Sequence, residues 1–475
     1  MNKFYITTTL PYVNAEPHIG FALEIIQADV IARAKRLSGN EVVFNFGTDE
    51  HGLKIYRKAI EKGLSPKEYC DMFAEKFDLL KKSLNLSYTN FIRTTDEHHV
   101  KAAQEFWKKC FENGDIYKKT YSVKYCVGCE LEKTDSELVE GKCPLHPKQE
   151  LELIEEENYF FRFSKYQKQL LEHYKNNPEF VKPEGKFLEI KAFVQRGLED
   201  FSISRLKSKM PWGIDVPGDS DHVMYVWFDA LINYISTLGW PENEVNFKNY
   251  WPGNQVAGVD NLRQQSAIWQ AMLMSAGLPP SKQIFIHGFL TLNGQKISKS
   301  AGNSIDPIEF VNKYGVDPLR YFLLSKIHPW DNSDFSEEKF IEAYNSDLAN
   351  GLGNQVSRIA KLCEKTGEDF SEDWIADFID SDFDPLRNYL DEYKFNDAMQ
   401  MIWKWISELD GLIEQDQPWK LENKELTTKL KSYVNKISFI VVGLKPFLPD
   451  TATKIEELFR SHKITSPQGL FPRIK

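Results

Sequence analysis

The first fifty residues alternate between strand, loop and helix patterns, and this order most constrains the fold. The stretch "KFYITTTL" is typical of a buried strand, and "HIGFALEIIQADVIARAKRLSG" is typical of a helix that ends in glycine. "NEVVFNFGTDEHG" follows as a second strand that ends in polar residues. A strand, a crossover helix and a second strand build a parallel sheet covered by helices. Such sheets bind ligands at the carboxyl ends of their strands. The sequence therefore predicts a doubly wound α/β fold.

Three later apolar runs are predicted to join the same sheet: "VMYVWF" (223–228), "NQVAGV" (254–259) and "QIFIHG" (283–288). The region 116–215 differs from its surroundings, because it holds a cysteine cluster, charged turns and the alternating stretch "EENYFFRF". We interpret it as an insertion into the sheet. After about residue 304, apolar residues recur at three- and four-residue spacing, which indicates a helical bundle.

The chain is divided into five segments, since 475 residues exceed what one hydrophobic core supports. The predicted Rossmann-type domain has two halves, residues 1–115 and 216–303, on either side of the connective insertion at 116–215. Residues 304–345 are predicted to link this domain to an all-α bundle at 346–475.

Composition excludes several classes of protein. The net charge of −10 argues against broad, non-specific binding to nucleic acid, although a local basic face remains compatible with it. No apolar run is long enough to span a bilayer, and prolines interrupt the N-terminal segment, which does not resemble a signal peptide. We therefore expect a cytoplasmic protein that does not associate with membranes.

Three of the six cysteines crowd into residues 126–143, which favours a metal site in a reducing compartment over a disulfide framework. Cys126, Cys129, Cys143 and His146 form the pattern C-x2-C-x13-C-x2-H. Two short chelating pairs across a loop suit tetrahedral Zn²⁺ with sulfur and nitrogen ligands. Four protein ligands leave no open position, so one structural zinc ion per chain is predicted. Such an ion supplies on the order of 10 kcal/mol of local folding free energy.

Two separate stretches are suited to binding phosphate. "PHIG" places His18 and Gly20 where a loop enters a helix, and a helix N-terminus offers free N–H groups and a positive dipole end. Alone, this stretch is more often an ordinary helix start. Far downstream, "KISKS" carries Lys296 and Lys299 in a glycine-flanked loop. Flexible ammonium groups suit charge that grows during phosphoryl chemistry.

"HIG" and "KISKS" together resemble the two signature sequences of class I aminoacyl-tRNA synthetases. "LPYVNAEPHIG", "GTDEHG", "YVWFDALINY", "HGFLTLNGQKISKS" and "QPWKL" are similar to the methionyl-tRNA synthetase family, and the resemblance covers nearly the whole chain. It implies that ATP with Mg²⁺ activates methionine to methionyl-adenylate. The acyl group then passes to the 3′ end of methionine tRNA.

The resemblance also implies roles for individual residues. His18, Lys296 and Lys299 would act on the ATP phosphates, and Asp260 would accept hydrogen bonds from the ribose. Asp49 would hold the ammonium group of the amino acid, inside an aromatic and aliphatic box that suits a thioether. The ATP-binding set implied is His18, Gly20, Gly258, Asp260, Lys296, Ile297, Ser298 and Lys299; the methionine-binding set is Leu10, Tyr12, Asp49, Trp227, Leu231, Tyr234 and Gln265.

In the helical third, Asn354 and Arg358 lie four residues apart and therefore on one helix face, and Trp419 follows a proline. Each alone is more typical of an exposed polar face or a packed tryptophan. The resemblance implies that they read the CAU anticodon, with Trp419 stacking on an unpaired base.

Two stretches of the sequence depart from the family pattern. Phe21 replaces a second histidine of the first signature, and loss of one transition-state donor costs about 3 kcal/mol. Val259, Gln264 and Gln265 stand where a lysine and a Phe-His pair are usual. We expect the Gln265 amide to replace the histidine by donating to the substrate sulfur.

Three alternatives stay open from the sequence. The first is a class I synthetase for another apolar amino acid, although the insertion is short and cysteine-rich for an editing domain. The second is a catalytically weakened tRNA-binding relative, and the third is a nucleotidyltransferase that adenylates a small acid without tRNA. No appended tRNA-binding barrel follows the bundle, so we expect a monomer.

Overall fold

The computed structural model describes residues 2–129, 131–133, 138–292, 294–297, 304–374, 381–466 and 469–474, and of Lys296 it describes the backbone. Ser298 and Lys299 of the predicted phosphate loop lie outside these residues. The strands are β1 Lys3–Thr8, β2 Glu41–Thr48, β3 Asn90–Arg93, β4 Ile116–Cys126, β5 Leu131–Lys133, β6 Glu152–Phe161, β7 Val181–Lys182, β8 Phe201–Ser202, β9 Ser204–Leu206, β10 Asp215–Val216, β11 Asp219–Met224, β12 Asn254–Gly258, β13 Gln283–His287, β14 Leu290–Leu292, β15 Gln295–Lys296 and β16 Ser333–Phe335.

The α-helices alternate with these strands in the first two thirds and dominate the last third. They are α1 Ile19–Leu37, α2 Leu53–Glu61, α3 Pro66–Ser83, α4 Glu97–Glu112, α5 Gln167–Asn176, α6 Glu184–Gln195, α7 Val226–Ala230, α8 Asn233–Ser236, α9 Glu244–Tyr250, α10 Trp269–Ser275, α11 Pro307–Tyr314, α12 Val316–Ser325, α13 Glu337–Ala343, α14 Asn354–Thr366, α15 Asp384–Asp391, α16 Phe395–Asp416, α17 Asn423–Leu444 and α18 Pro449–Phe459. Within the described part of the chain, no helix is both long enough and apolar enough to cross a bilayer.

A six-stranded parallel sheet with the order β3-β2-β1-β12-β13-β7 forms the centre of the molecule. On one side of β1 the sheet continues to β2 and then β3. On the other side of β1 lies β12, which is followed by β13. The strand order therefore reverses between β1 and β12, where Ile6 pairs with Asn254. In open parallel sheets, ligands bind outside the carboxyl ends of the strands at such a switch point. The predicted α/β fold is confirmed.

Apolar side chains cover both faces of this sheet. One cluster, which includes Ile6, Phe44 and Val256, continues without a break into the helical third as far as Ile464. The other cluster, which includes Trp107, Trp269 and Ile286, fills the opposite face. The central sheet and the helical third therefore share one core.

The run "VMYVWF" was predicted to be a strand of the central sheet, and this prediction is wrong. Its first residues end β11, which pairs antiparallel with β9 and β10 in a separate sheet. The backbone then turns at Tyr225, the N-cap of α7, so the same run continues as a helix. A short apolar run does not by itself distinguish a buried strand from a buried helix. The other two runs form β12 and β13, as predicted.

The region 116–215 contains a four-stranded sheet of order β5-β4-β6-β8, in which β4 and β6 form the longest pair. Within the same region, β7 joins the edge of the central sheet by pairing in parallel with β13, and β8 then returns to the four-stranded sheet. In the C-terminal third, α14 to α18 pack on one another. The tail 469–474 returns to the start of this bundle, where Asn345 Nδ2 donates to the Ile474 carbonyl at 2.9 Å.

Candidate active site

A cavity of about 270 Å³ opens at the carboxyl ends of β1, β2 and β12. The seven residues predicted to bind methionine all lie in its wall, although they come from distant parts of the sequence. The wall residues are Thr9, Leu10, Pro11, Tyr12, Asn14, Phe21, Asp49, Lys54, Gly128, Cys129, Val226, Trp227, Ala230, Leu231, Asn233, Tyr234, Asp260, Asn261 and Gln265. The parallel sheet brings them together, because the loops after its strands meet at one edge.

Backbone hydrogen bonds fix the polar side of the cavity. The N–H of Val13 donates to the Asp49 carbonyl at 3.1 Å, and the N–H of Asp49 donates to the Pro11 carbonyl at 3.0 Å. These bonds join the loops that follow β1 and β2, so Tyr12 and Asp49 stand side by side. Asp49 is 7% exposed, which places a carboxylate in a largely dry wall. A cationic amine is the natural partner for such a group.

The opposite wall is mainly apolar. Trp227 belongs to α7, Leu231 follows that helix, and Tyr234 lies in α8. The Trp227 indole N–H is buried and finds no hydrogen-bond acceptor among the described residues. The cavity therefore combines a carboxylate on one side with aromatic and aliphatic groups on the other.

A buried group that we call the histidine clasp joins the two walls: His51, Asp229 and His99. Asp229 is fully buried and accepts from His51 Nδ1 at 2.6 Å and from His99 Nε2 at 2.9 Å. Burial opposes ionisation, but the charges and hydrogen bonds of the two histidines outweigh it and lower the pKa of Asp229. This clasp was not predicted from the sequence. Its signal was present, because His51 lies in "GTDEHG" and Asp229 in "YVWFDALINY".

His18 caps α1 beside the cavity. Its Nδ1 accepts a hydrogen bond from the N–H of Gly20 at 3.1 Å, and burial lowers the pKa of His18 to about 4. The imidazole is therefore neutral at pH 7, and because Nδ1 is an acceptor, the single proton lies on Nε2. A β-carbon at Gly20 would lie 2.9 Å from the His18 ring, so this turn requires glycine.

A second ion pair lies at the switch point and was also missed. Glu24 of α1 accepts from Thr9 N–H at 2.8 Å and pairs with His287 Nε2 at 2.9 Å. Burial by itself would lower the pKa of His287, but the Glu24 carboxylate outweighs it and raises the pKa. Close by, a β-carbon at Gly258 would lie 2.8 Å from Asp260 Oδ1, so a larger residue there would displace the Asp260 carboxylate.

The loop that carries the predicted lysines is tied to a neighbouring strand. β14 and β15 form a hairpin in which Lys296 pairs with Thr291. Asp334 of β16 accepts from the Gly294 N–H at 2.6 Å and from Thr291 Oγ1 at 2.8 Å. The Gly294 hydrogen bond is the main reason that the pKa of Asp334 is lowered. Ile297 packs against the main core, whereas Ser298 and Lys299 lie beyond the described residues.

Cys126, Cys129, Cys143 and His146 converge into a candidate metal centre, with one ligand atom of each within 4.8 Å of all the others. Cys129 Sγ lies 3.3 Å from Cys143 Sγ and 3.2 Å from His146 Nδ1. Ligand atoms about 2.0–2.3 Å from a tetrahedral zinc ion are about 3.3–3.8 Å apart, so the set fits that ion. A β-carbon at Gly128 would lie 2.6 Å from the His146 ring, which explains the glycine between the first two cysteines.

The candidate metal centre also borders the cavity. Gly128 and Cys129 belong to the cavity wall, and Lys54 Nζ of α2 donates to the Gly128 carbonyl at 3.4 Å. The cysteine cluster therefore contributes to the wall of the candidate active site.

The three predicted anticodon residues lie in the helical third. Asn354 begins α14 and is exposed, and Trp419 is 48% exposed in the turn between α16 and α17. Arg358 bridges α14 to α16, because it contacts Asp410 at 3.2 Å and Glu414 at 2.5 Å. Trp419 follows Glu414 by five residues, so these groups share one end of the bundle.

The switch-point cavity, with a neutral histidine at a helix N-terminus and a lysine hairpin after the last sheet strand, defines a class I aminoacyl-tRNA synthetase. The model of the family described as tRNA synthetases class I (M) matches residues 4–152 and 145–360, and the chain belongs to this family.

Named relatives agree with this assignment. The chain is 43% identical over 476 residues to the methionine--tRNA ligase of Thermotoga maritima, covering 96% of this chain and 75% of that protein. It is also 43% identical over 485 residues to the methionine--tRNA ligase of Caldanaerobacter subterraneus subsp. tengcongensis, covering 98% of this chain and 75% of that protein. The solved methionyl-tRNA synthetase of Mycobacterium tuberculosis in complex with methionyl-adenylate superimposes with a TM-score of 0.91, at 35% identity and over 100% of both chains. The apo form of that enzyme superimposes with a TM-score of 0.84 at 31% identity, over 100% of this chain and 99% of that chain.

Proposed function

We infer that the chain activates methionine with ATP to methionyl-adenylate and transfers the methionyl group to the 3′ end of methionine tRNA. The convergence of all seven predicted methionine-binding residues on one switch-point cavity supports this inference most directly. The family membership supports the same activity. Relatives named for methionine also make leucine or valine the weaker choice of substrate.

The amino acid would lie across the cavity from one wall to the other. Asp49 would bind its ammonium group, because a largely buried carboxylate gains most from a cationic partner. Trp227, Leu231 and Tyr12 would surround the thioether, since sulfur packs well against aromatic rings. Leu10, Tyr234 and Gln265 would complete the wall around the side chain.

ATP would bind along the other side of the switch point. His18 would donate its Nε2–H to a phosphate oxygen, next to the free N–H groups at the start of α1. Gly258 and Asp260 would hold the adenosine, with the Asp260 carboxylate accepting from the ribose. Lys296, Ile297, Ser298 and Lys299 would close over the phosphates, where the ammonium groups balance the charge that grows as pyrophosphate leaves.

Catalysis in this arrangement rests on positioning and charge stabilisation. Asp49 and the apolar wall would orient the methionine carboxylate toward the α-phosphorus, and His18 with the lysines would stabilise the transition state. Mg²⁺ would arrive with ATP and neutralise phosphate charge. Glu24 and His287 would hold α1 against the sheet, and with it the position of His18.

Cys126, Cys129, Cys143 and His146 would hold one zinc ion, since their donor atoms and spacing suit a closed tetrahedral site. The ion would be structural and would fix the cysteine cluster where it meets the cavity. Lys54 would transmit that order to the substrate site through Gly128.

The helical third would bind the anticodon of methionine tRNA. Trp419 is exposed enough to stack on a base, and Asn354 would present its amide to base edges. Arg358 would exchange its contacts with Asp410 and Glu414 for the RNA. We further propose that the enzyme acts as a monomer in the cytoplasm, where the unpaired thiols found among the described residues stay reduced.

Exchange of label between pyrophosphate and ATP tests the activity. The exchange should depend on methionine and should collapse in Lys299→Ala. Lys454→Ala removes an exposed lysine of α18 and should leave the exchange unchanged. Faster exchange with leucine or valine would show that the substrate is wrong. A protein that binds tRNA but exchanges with no amino acid would show that it is a weakened relative.

A further inference from the structure

A polar cavity of about 520 Å³, which we call the tail pocket, lies where the tail 469–474 meets the start of α14. Asn350 and Asn354 line one side of it, and Phe471 and Arg473 of the tail line the other. Among the described residues, its wall contains one cation, Arg473, and no carboxylate, although the chain carries a net charge of −10. Its volume falls within the range of about 300–1,000 Å³ that is usual for ligand sites.

The position of the tail does not depend on Arg473. Asn345 holds the backbone of Ile474 at two points, since its Nδ2 donates to the Ile474 carbonyl at 2.9 Å and its Oδ1 accepts from the Ile474 N–H at 3.0 Å. The Phe471 ring lies edge-on to the Tyr344 ring, with the ring centroids 6.0 Å apart. Phe471 and Ile474 also pack against the main core. Arg473 is therefore presented by a tail that other residues anchor.

The guanidinium group of Arg473 has an uncharged partner. Its Nε and Nη2 both donate to Asn350 Oδ1, at 2.9 Å and 2.5 Å. Within the part of the chain that the structure describes, no carboxylate pairs with Arg473. Arg358 differs, because Asp410 and Glu414 neutralise it. The tail pocket therefore keeps a positive charge that its own wall does not balance.

Arg473 also orients the amide of Asn350. A guanidinium group can only donate, so the amide oxygen of Asn350 faces Arg473 and its nitrogen is directed elsewhere. Asn350 lies in the π-helical segment Tyr344–Gly353, and such segments often occur at functional sites. Asn354 follows four residues later and lines the same cavity. The pocket thus combines two exposed amides with an exposed arginine.

We propose that the tail completes a pocket for one nucleotide of the anticodon loop, in which Arg473 binds the phosphate and the amides of Asn350 and Asn354 face the base. This proposal rests on the proposed function and adds a cation from the tail to the three predicted anticodon residues. Asn354 belongs to both sets, so the two surfaces are continuous. Single-stranded RNA is bound by this combination of groups, because a planar guanidinium suits phosphate and amides suit base edges.

Binding of an isolated RNA hairpin tests the proposal without requiring catalysis. The probe is the labelled anticodon stem-loop of methionine tRNA, and its Kd for the full chain is measured by fluorescence anisotropy at several salt concentrations. Arg473→Gln should raise the Kd about fivefold, the upper value for one exposed ionic contact. The slope of log Kd against log salt concentration should fall by about 0.7, the contribution of one phosphate in a single strand.

Asn350→Asp separates RNA binding from a structural role of Arg473. A carboxylate of the same shape accepts from Arg473 at least as strongly as the amide oxygen does, so the free energy of unfolding in urea should not fall. The new ion pair neutralises Arg473, however, and the Kd and the salt slope should change in the same direction as in Arg473→Gln. A contact that only held the tail in place would be preserved in this variant.

Two controls show whether the effect belongs to this pocket and to the loop. Arg460→Gln removes another exposed arginine of the bundle, which pairs with Glu456 at 3.0 Å outside the pocket wall, and should leave the Kd and the slope unchanged. A second hairpin has the same stem and an unrelated loop. Its Kd should be the same for the wild type and for Arg473→Gln.

The outcomes distinguish this proposal from the proposed function. If Trp419→Ala weakens binding of the anticodon hairpin but Arg473→Gln does not, the tail pocket is wrong and the proposed function stands. Wild-type binding in Asn350→Asp, or an equal loss with the unrelated loop, would also overturn the tail pocket. If the wild type neither binds the anticodon hairpin nor exchanges pyrophosphate with methionine, both proposals are wrong.

Discussion

Replacing Asp229 with asparagine tests whether the histidine clasp holds the methionine cavity in shape. Asp229 is fully buried and accepts from His51 at 2.6 Å and from His99 at 2.9 Å. His51 follows Asp49 by two residues, and Asp229 follows Trp227 by two residues. The clasp therefore connects the wall that would bind the ammonium group to the wall that would bind the side chain.

The size of the effect follows from these contacts. An amide of the same shape presents an N–H group in place of one carboxylate oxygen, so one histidine loses its acceptor. A hydrogen bond to a charged group contributes about 1.5–3 kcal/mol, and we expect the free energy of unfolding of Asp229→Asn to fall by about 2 kcal/mol. If half of this lost free energy results from displacement of α7 in the folded protein, methionine binding weakens by about 1 kcal/mol. That corresponds to about a fivefold higher KM.

The assay is pyrophosphate exchange with methionine and ATP varied separately, together with urea unfolding. The KM for methionine should rise about fivefold, and the KM for ATP should stay within about twofold, because Glu24 and His287 hold the other side of the site. His222→Gln provides a matched control, since this buried histidine pairs with Asp219 at 3.0 Å outside the cavity wall. A wild-type KM for methionine in a destabilised Asp229→Asn would show that the clasp has only a structural role.

Four other changes test separate parts of the molecule. Elemental analysis should find about one zinc per chain, and Cys126→Ser should lose it. Trp419→Ala should lower charging of CAU-bearing tRNA about 10- to 100-fold, from a lost stacking energy of about 1–3 kcal/mol, and leave exchange intact. Arg320→Met should lower the free energy of unfolding by about 3–5 kcal/mol in urea, because it removes one of the two arginines that pair with buried Asp29 and also the donor to the Phe447 and Pro446 carbonyls. His18 has a folded pKa of about 4, below its unfolded value of about 6.5, so its unfolded form binds more protons between these values. The contribution of His18 therefore lowers the free energy of unfolding as the pH falls through that window. In the pH profile of pyrophosphate exchange, the acid limb that depends on His18 should lie near pH 4.

The residues around the cavity were predicted from the resemblance to a family, and no local pattern alone identifies Trp227, Tyr234 or Gln265. Topology explains why the predicted residues meet at one sheet edge, as Tyr12 after β1 and Asp49 after β2 do. The candidate metal centre was predictable from spacing alone, since Cys126 to His146 form two short pairs. There the local pattern itself contains the geometric constraint.

Other features depend on tertiary contacts that no local pattern contains. His51, Asp229 and His99 belong to three separate elements, and their contact exists only after β2, α4 and α7 have packed. The run "VMYVWF" changes from strand to helix at Tyr225, where the backbone leaves its antiparallel sheet.

Phe21 shows how a departure from the family pattern can alter the chemistry of its neighbour. Its ring lies 4.4 Å from the His18 ring and 5.8 Å from Phe77, so it shields one face of His18 from water. Burial is the cause of the lowered pKa of His18. His18 would therefore act as a neutral donor in a site where Phe21 replaces the second histidine. Because His18 Nδ1 accepts from the Gly20 N–H, the proton lies on Nε2, and we expect no rearrangement before phosphate binds. We expect this pre-oriented donor to offset part of the cost of losing the second histidine.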